Sequence, residues 1–229
     1  MNLEAALTSR EFAATIQRRL LRWSKSRPVT FPWREERDPW LTLAAEIMLQ
    51  RTRAAQVEPV FLEFKQRFPS AAQLVAAGPA AVRALTDRLG LHWRGALLCR
   101  AAQAVAEAGG FPPEDLAALR RIPGVGPYTT AAWLSLHRNT RAVIVDANVS
   151  RWLSRMTGLP YERDPRHVRW VNELADRLTP PRAFRRYNYA VLDFTMTICT
   201  PRSPRCNACP VRGYCEYGRL KTANRKASV

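Results

Sequence analysis

The sequence is poor in acidic residues and almost without lysine. Its 229 residues include 19 Asp and Glu against 36 Lys and Arg, which gives a formal net charge of +17. Only four of the 36 are lysines, at positions 25, 65, 221 and 226, so arginine supplies nearly all of the positive charge. An excess of this size favours a polyanionic partner, and nucleic acid is the most common one. A bias toward arginine without a binding role is the alternative.

Long apolar runs and a secretory leader are also lacking. No segment approaches the roughly 20 uncharged apolar residues that a membrane span needs. The first residues, Met1 to Ala5, do not combine a basic start with an apolar run. We therefore expect a cytoplasmic protein, associated with the nucleoid if the source is bacterial, with no membrane partner. Structural disulfides are rare in that compartment, so the 5 cysteines need another explanation.

The body of the chain predicts helices. Apolar residues recur at helical spacing, and the pattern predicts helices over 39–49 and 54–68, after Pro127 and near Asn148. Two short apolar runs, at 141–145 and 189–192, are too isolated to form a sheet. From about Thr197 the sequence is rich in Cys, Pro and Arg and loses its periodicity. The expected fold class is all-α, with a small irregular C-terminal module.

Four of the five cysteines follow the pattern Cys199-x6-Cys206-x2-Cys209-x5-Cys215. Four thiolates in a proline-broken loop are suited to wrap one metal centre. Structural zinc usually takes two close pairs of ligands, and here only Cys206 and Cys209 form such a pair. A four-iron cubane is larger than a single ion, so cysteines at unequal spacings along the chain reach its corners more readily. The spacing therefore favours an iron–sulfur cluster and leaves zinc open, while Cys99 predicts a buried apolar thiol.

A glycine-rich turn and two carboxylates complete the informative features. Residues 122–129 read Ile-Pro-Gly-Val-Gly-Pro-Tyr-Thr, a tight turn whose backbone N–H groups suit a DNA phosphate, although such turns also merely join helices. Asp146 follows an apolar run at a helix start, where a helix cap and a catalytic carboxylate are equally consistent. Glu46 lies in an apolar helix, where burial favours a partly protonated general acid. Its alternative is a buried glutamate paired with an arginine.

These stretches together resemble the helix–hairpin–helix DNA glycosylase superfamily, in the iron–sulfur branch that contains endonuclease III and the adenine glycosylase MutY. The resemblance runs from Phe31 to Cys215 and rests on the cysteine spacing, the glycine turn and the Val145-Asp146 pair. It implies a [4Fe-4S] cluster on the four cysteines, and a monomer that acts on double-stranded DNA with a mismatched or damaged base. It also implies two helical domains. One is a six-helix barrel over 33–145 with the helix–hairpin–helix at about 119–135, and the other combines 1–32 with 146–220, leaves a tail at 221–229 and carries the iron–sulfur loop 199–215.

The resemblance assigns roles to individual positions. Asp146 matches the carboxylate that stabilises positive charge at the sugar, and Glu46 matches the acid used at the target base. Tyr128 stands where endonuclease III has its Schiff-base lysine, and no lysine lies between positions 65 and 221. The resemblance therefore implies base removal without efficient strand cleavage. Gln50 matches the residue that fills the gap left by the flipped nucleotide, and Leu91 and His92 lie in the loop that wedges the opposite strand. The remaining DNA-binding candidates are Arg51, Gly124, Val125, Gly126, Thr129 and Asn148.

Short motifs bear on the target base. Phe31-Pro-Trp-Arg, Arg37-Asp-Pro-Trp, Val145-Asp-Ala-Asn and Leu192-Asp-Phe-Thr resemble the mismatch-specific thymine glycosylases. MutY has a paired tyrosine where Leu91-His92 stands here, and a second glutamine in place of Arg51. We therefore expect thymine or uracil opposite guanine, with a MutY-like adenine activity opposite 8-oxoguanine or guanine as the alternative. A non-catalytic iron–sulfur protein that binds DNA is a third reading, against which the presence of both carboxylates argues.

Overall fold

The computed structural model describes residues 9–26, 30–90, 92–160 and 168–220. Within these ranges the chain forms helices and loops and contains no strand, which confirms the all-α prediction. No helix of the described part is long and apolar enough to cross a membrane. Short 3₁₀ turns span Asp87–Leu89, Cys206–Ala208 and Arg212–Tyr214. The α-helices are α1 (Arg10–Lys25), α2 (Pro32–Glu35), α3 (Pro39–Leu49), α4 (Ala54–Arg67), α5 (Ala71–Thr86), α6 (Trp93–Glu107), α7 (Leu116–Arg121), α8 (Pro127–His137), α9 (Ala147–Thr157), α10 (Arg169–Leu178) and α11 (Phe184–Thr197).

Polar caps and prolines set the helix starts. Asp38 accepts a hydrogen bond from the backbone N–H of Leu41 at 2.9 Å. Pro39 stands in the first turn of α3, where the sequence predicts that the helix begins. Within α5 the backbone of Gly78 leaves the helical region at φ 77° and ψ 169°, just before Pro79. This element is therefore two helices across a kink. The apolar run at 189–192 lies inside α11, because its neighbours continue a helical pattern.

The chain divides into two compact units, Thr30–Thr140 and Met1–Val29 with Arg141–Val229. In the unit of residues 30–140, α3 packs against α4, α6 and α8, and α5 packs against α6. Large aromatic side chains fill its core, including Trp40, Phe61, Phe64 and Trp133, each at most 1% exposed. The indole N–H of Trp133 reaches the hydroxyl of Thr42 on α3 at 3.1 Å, so α8 is fixed to α3 by a polar contact as well as by packing.

In the other unit, α11 packs against α1 and α9, and α10 packs against α1. Trp152 on α9 meets Phe194 on α11 edge to face, with ring centroids 5.6 Å apart. The cysteine-rich segment joins this core through buried Cys199 and Val211. The segment 141–145 belongs to the same unit, where Arg141 donates to the carbonyl oxygens of Asp176 and Thr179, each at 2.9 Å.

Candidate active site and metal centre

The glycine-rich turn joins α7 to α8 in the unit of residues 30–140. Val125 donates its backbone N–H to the carbonyl oxygen of Ile122 at 3.0 Å. Gly124 has a φ of 87°, and a Cβ added there would lie 2.7 Å from the Cδ2 atom of Leu97. Glycine is required on both counts. Gly126 precedes α8, and among the described residues no side chain caps that helix, so its first N–H groups are arranged to receive an anion.

Gln50 connects the end of α3 to this turn. Its Nε2 atom donates to the carbonyl oxygen of Gly124 at 2.8 Å and to the hydroxyl of Thr129 at 3.0 Å. The next residue, Arg51, has a left-handed φ of 56°. That backbone costs a non-glycine residue about 1–2 kcal/mol. The structure thus brings together three of the residues predicted from the sequence to bind DNA.

Arg94 is a member of this group that the sequence analysis did not single out. Its Nη2 atom donates to the carbonyl oxygen of Gln50 at 2.5 Å, and the residue is 0% exposed. Its Nε and Nη1 atoms have no hydrogen-bond partner among the described residues. Burial lowers the pKa of this guanidinium. In a chain so rich in arginine, no local signal marks this one as buried.

Three other residues that the sequence predicts for the site, Tyr128, His92 and Leu91, belong to the unit of residues 30–140. Tyr128 is half-buried in the first turn of α8. His92 is exposed just before α6, and its Nδ1 atom lies 3.2 Å from the Oδ1 atom of Asp87. Leu91 lies outside the described residues.

Glu46 pairs with His137 in the interior of the same unit. Its Oε1 atom lies 2.9 Å from the Nε2 atom of His137, and the two side chains are 4% and 1% exposed. The expectation that Glu46 is buried is confirmed, whereas its partner is a histidine and not an arginine. The two residues are 91 positions apart, and only the packing of α3 against α8 joins them.

Asp146 caps α9 in the unit that contains the cysteines. Its Oδ1 atom accepts the backbone N–H of Val149 at 2.7 Å, and its Oδ2 atom accepts the Nδ2 group of Asn148 at 2.8 Å. The residue is half-buried. Capping and catalysis therefore do not exclude each other, because the cap fixes the direction in which this carboxylate points.

A hydrogen-bond network leads from Asp146 to the cysteine-rich segment. The Oδ1 atom of Asn148 accepts from Nη1 of Arg151 at 2.9 Å. Arg151 also donates to the carbonyl oxygen of Cys199 from Nε at 3.1 Å and from Nη2 at 2.9 Å, and to that of Thr195 at 3.0 Å. No sequence motif indicates this connection, because it joins residues about 50 positions apart. We call these residues the Asp146–Asn148–Arg151–Cys199 network.

The four predicted metal ligands line one cavity. Cys199, Cys206, Cys209 and Cys215 border a space of about 350 Å³, part of which is open to solvent. None of the four forms a disulfide. Arg155 also borders the cavity, and its Nη1 atom lies 3.5 Å from the Sγ atom of Cys199.

The chemistry of this cavity fits an iron–sulfur cluster. Burial and the charges of the neighbouring cysteines raise the pKa of Cys209 to about 12. Each of these thiols loses its proton when it binds a metal, because the thiolate is the ligand. Within the described residues no group of three or more ligating side chains is arranged to hold a single ion. The four cysteines that border this cavity are the residues that would hold a four-iron cluster.

Comparison with protein families gives two matches. Residues 44–176 match the HhH-GPD superfamily of base excision DNA repair proteins. Residues 199–215, which are bounded by the first and last of the four cysteines, match the iron–sulfur binding domain of endonuclease III. The second match confirms the cofactor predicted from the cysteine spacing.

Individual proteins show the same relationship. The chain is 33% identical to a thymine/uracil-DNA glycosylase of Methanothermobacter thermautotrophicus over 208 residues, which is 90% of this chain and 92% of the relative. It is 32% identical to an adenine DNA glycosylase of Mycolicibacterium smegmatis, over 86% of this chain and 68% of the relative. The structure of a thermostable thymine-DNA glycosylase superposes with a TM-score of 0.84 at 30% identity, covering 91% of this chain and 97% of the other.

Proposed function

The chain belongs to the HhH-GPD superfamily of base excision DNA repair proteins and carries the iron–sulfur domain of endonuclease III, and we propose that it is a monofunctional DNA glycosylase for thymine or uracil opposite guanine. The reaction breaks the bond between C1′ of the sugar and the base, and water supplies the new oxygen at C1′. The geometry of Asp146 is the observation that carries this proposal. Its carboxylate is held by two hydrogen bonds at a helix start.

Asp146 stabilises the sugar as the bond breaks. The target base first leaves the stack, which costs a few kcal/mol and least for a mismatched base. The C1′–N bond electrons then move to the base, and the sugar becomes positively charged. A carboxylate that is already held in place stabilises this positive charge most strongly, because it does not have to reorganise during the reaction. Hydrogen bonds from Asn148 and Val149 supply this fixation.

Glu46 assists the departing base. A hydrogen bond or a proton donated to the base spreads the negative charge that it acquires and makes it a better leaving group. Its burial keeps competing water away from that contact. We therefore assign Asp146 to the sugar and Glu46 to the departing base.

Tyr128 makes the enzyme monofunctional. A Schiff base with the opened sugar requires an amine, and a phenol cannot form one. Since no lysine lies between positions 65 and 221, the sequence offers no amine in the hairpin or near Asp146 along the chain. We expect abasic sites to accumulate without strand cleavage.

The DNA backbone is bound by the glycine turn and by arginines. The N–H groups at Gly124 and Gly126 suit one phosphate, while the N–H of Val125 is bonded within the turn to Ile122 and the contact of Val125 with DNA stays a prediction. Gln50 and Thr129 hold the turn in shape. Cys199, Cys206, Cys209 and Cys215 would hold the [4Fe-4S] cluster, and the cluster would thereby stabilise the loop that carries exposed Arg202 and Arg205. The remaining DNA-binding candidates, Arg51, Leu91, His92 and Asn148, stay predictions. We expect a monomer that works in the cytoplasm, at the nucleoid in a bacterium, and light scattering checks its mass.

Removal of adenine opposite 8-oxoguanine or guanine is the second candidate. The 32% identity to an adenine DNA glycosylase supports it. The longer match to a thymine/uracil-DNA glycosylase, which covers 92% of that relative, favours the pyrimidine activity.

The deciding experiment uses labelled duplexes with G·T, G·U, A·G and A·8-oxoguanine pairs, each read with and without hot alkali. Cleavage at thymine or uracil that depends on alkali is the expected result. Cleavage only at adenine would replace the proposed base by the second candidate. If the protein binds these duplexes but releases no base, it is a DNA-binding protein without glycosylase activity.

A further inference from the structure

We propose that His137 is a positioning residue for Glu46, which it orients so that one carboxylate oxygen is held by the protein and the other is presented to the target base. This inference rests on the proposed function of Glu46. It concerns the buried contact between Nε2 of His137 and Oε1 of Glu46. No sequence motif points to His137.

The geometry of the pair is that of a fixed contact. The Nε2 atom of His137 lies 2.9 Å from Oε1 of Glu46, and the side chains are 1% and 4% exposed. Surface ion pairs contribute little because water and mobile side chains compete with them, but neither competitor reaches a pair this buried. Among the described residues His137 is the one hydrogen-bonding partner of Glu46. Its Oε2 atom is therefore left for the substrate.

The position of His137 in the fold makes it a suitable support. It is the last residue of α8, and the same helix begins at the glycine turn. Trp133, one turn earlier, is bonded to Thr42, one turn before Glu46 on α3. Two polar contacts, one turn apart, thus fix α8 against α3. The helix that presents its first N–H groups to DNA also holds the carboxyl that assists the base.

The imidazole has one side without a protein partner. Among the described residues no group bonds its Nδ1 atom, which is buried. When Nε2 carries the proton, Nδ1 carries none and can only accept a hydrogen bond. In this tautomer the Nε2–H group of the imidazole donates to Glu46. The other tautomer would leave a buried N–H unpaired, which is the costlier of the two arrangements. The structure therefore favours donation from His137 to the carboxyl.

The test compares His137→Ala and His137→Gln with Thr130→Val in single-turnover release from a G·U duplex with enzyme in excess. A carboxyl misplaced by about 1 Å lowers the rate by about 10- to 100-fold, so we expect a loss in this range for H137A. We expect H137Q to recover part of the rate, because its amide N–H can donate to the carboxyl. T130V removes a buried hydroxyl on the same helix that has no partner among the described residues, and should retain the wild-type rate.

Three results would overturn the proposal. They are an unchanged rate in H137A, no recovery in H137Q, and an equal loss in T130V, which would make the effect one of helix stability. The affinity for a duplex with an uncleavable target should stay the same in H137A, because positioning acts on the rate and not on binding.

A second readout separates this proposal from the proposed function. The chain has 3 histidines, so the ring ¹⁵N resonances of His137 are assigned by their loss in H137Q. Glu46→Gln should move these resonances and leave those of the other two in place. If the wild type releases no base but this shift occurs, the proposed function fails and the Glu46–His137 contact stands. If the resonances do not move, the contact itself is wrong.

Discussion

Arg151→Met tests whether the metal centre supports Asp146, the carboxylate that we propose to be catalytic. The substitution keeps the alkyl stem and removes the guanidinium that joins Asn148 to the carbonyl oxygens of Cys199 and Thr195. Asn148 then loses the support that orients its amide toward Asp146. We expect slower base release and a less stable metal centre.

The magnitude follows from the bonds that are lost. A hydrogen bond to a charged group contributes about 1.5–3 kcal/mol net. The bonds of Arg151 share one half-buried guanidinium and do not add, so we expect a loss of about 2–4 kcal/mol in the free energy of unfolding. If Asp146 loses the fixation that Asn148 provides, a cost of about 1.4 kcal/mol at the transition state corresponds to a tenfold slower release.

Arg155→Met is the matched control. Arg155 donates to the carbonyl oxygens of Thr200 and Pro201 at 2.7 Å and 2.6 Å, and among the described residues it does not bond to Asn148. Both variants weaken the attachment of the cysteine-rich segment. Only Arg151→Met interrupts the Asp146–Asn148–Arg151–Cys199 network.

The assay combines single-turnover release, iron content and thermal unfolding for each variant. Per iron-loaded molecule, Arg155→Met should stay within about threefold of the wild type, and Arg151→Met should fall about tenfold. Equal rates per loaded molecule in the two variants would refute the network as a support of Asp146. So would an unchanged rate in Asn148→Ala, which removes the neighbouring contact directly.

Three further predictions follow from single positions. Asp146→Asn should reduce base release by at least about a hundredfold, because the charge that we propose to stabilise the sugar is lost. The gel-shift affinity for the mismatch should be retained, because the phosphate contacts remain. Normal release would contradict the mechanism. Gly124→Ala places a methyl group against Leu97 at a left-handed backbone position. Thermal unfolding should therefore show a free energy of unfolding lower by about 1–3 kcal/mol, and DNA binding should be weaker. An unchanged free energy of unfolding would contradict the requirement for glycine in this turn. Tyr128→Lys should add an amine that borohydride traps on an abasic site, and if no adduct forms, this position does not face the sugar.

Local patterns predicted much of this molecule because they act over a few residues. A cap and a proline set the start of α3, and the glycine turn is recognisable because few residues other than glycine adopt a φ of 87°. The cysteine spacing favours an iron–sulfur cluster over zinc because the ligands lie within one short segment, and the family match confirms the cluster. The all-α fold class and the superfamily follow from such signals.

The contacts that depend on distant residues were not predictable in this way. The histidine beside Glu46, the buried guanidinium of Arg94 beneath Gln50 and the link from Arg151 to Cys199 all join separate helices. The sequence by itself determined the helix starts, the glycine turn and the cysteine spacing, and through them the residues to which we assign the chemistry. Only the tertiary structure decided which partners orient them, because burial and hydrogen bonding depend on the packing of helices that are far apart along the chain.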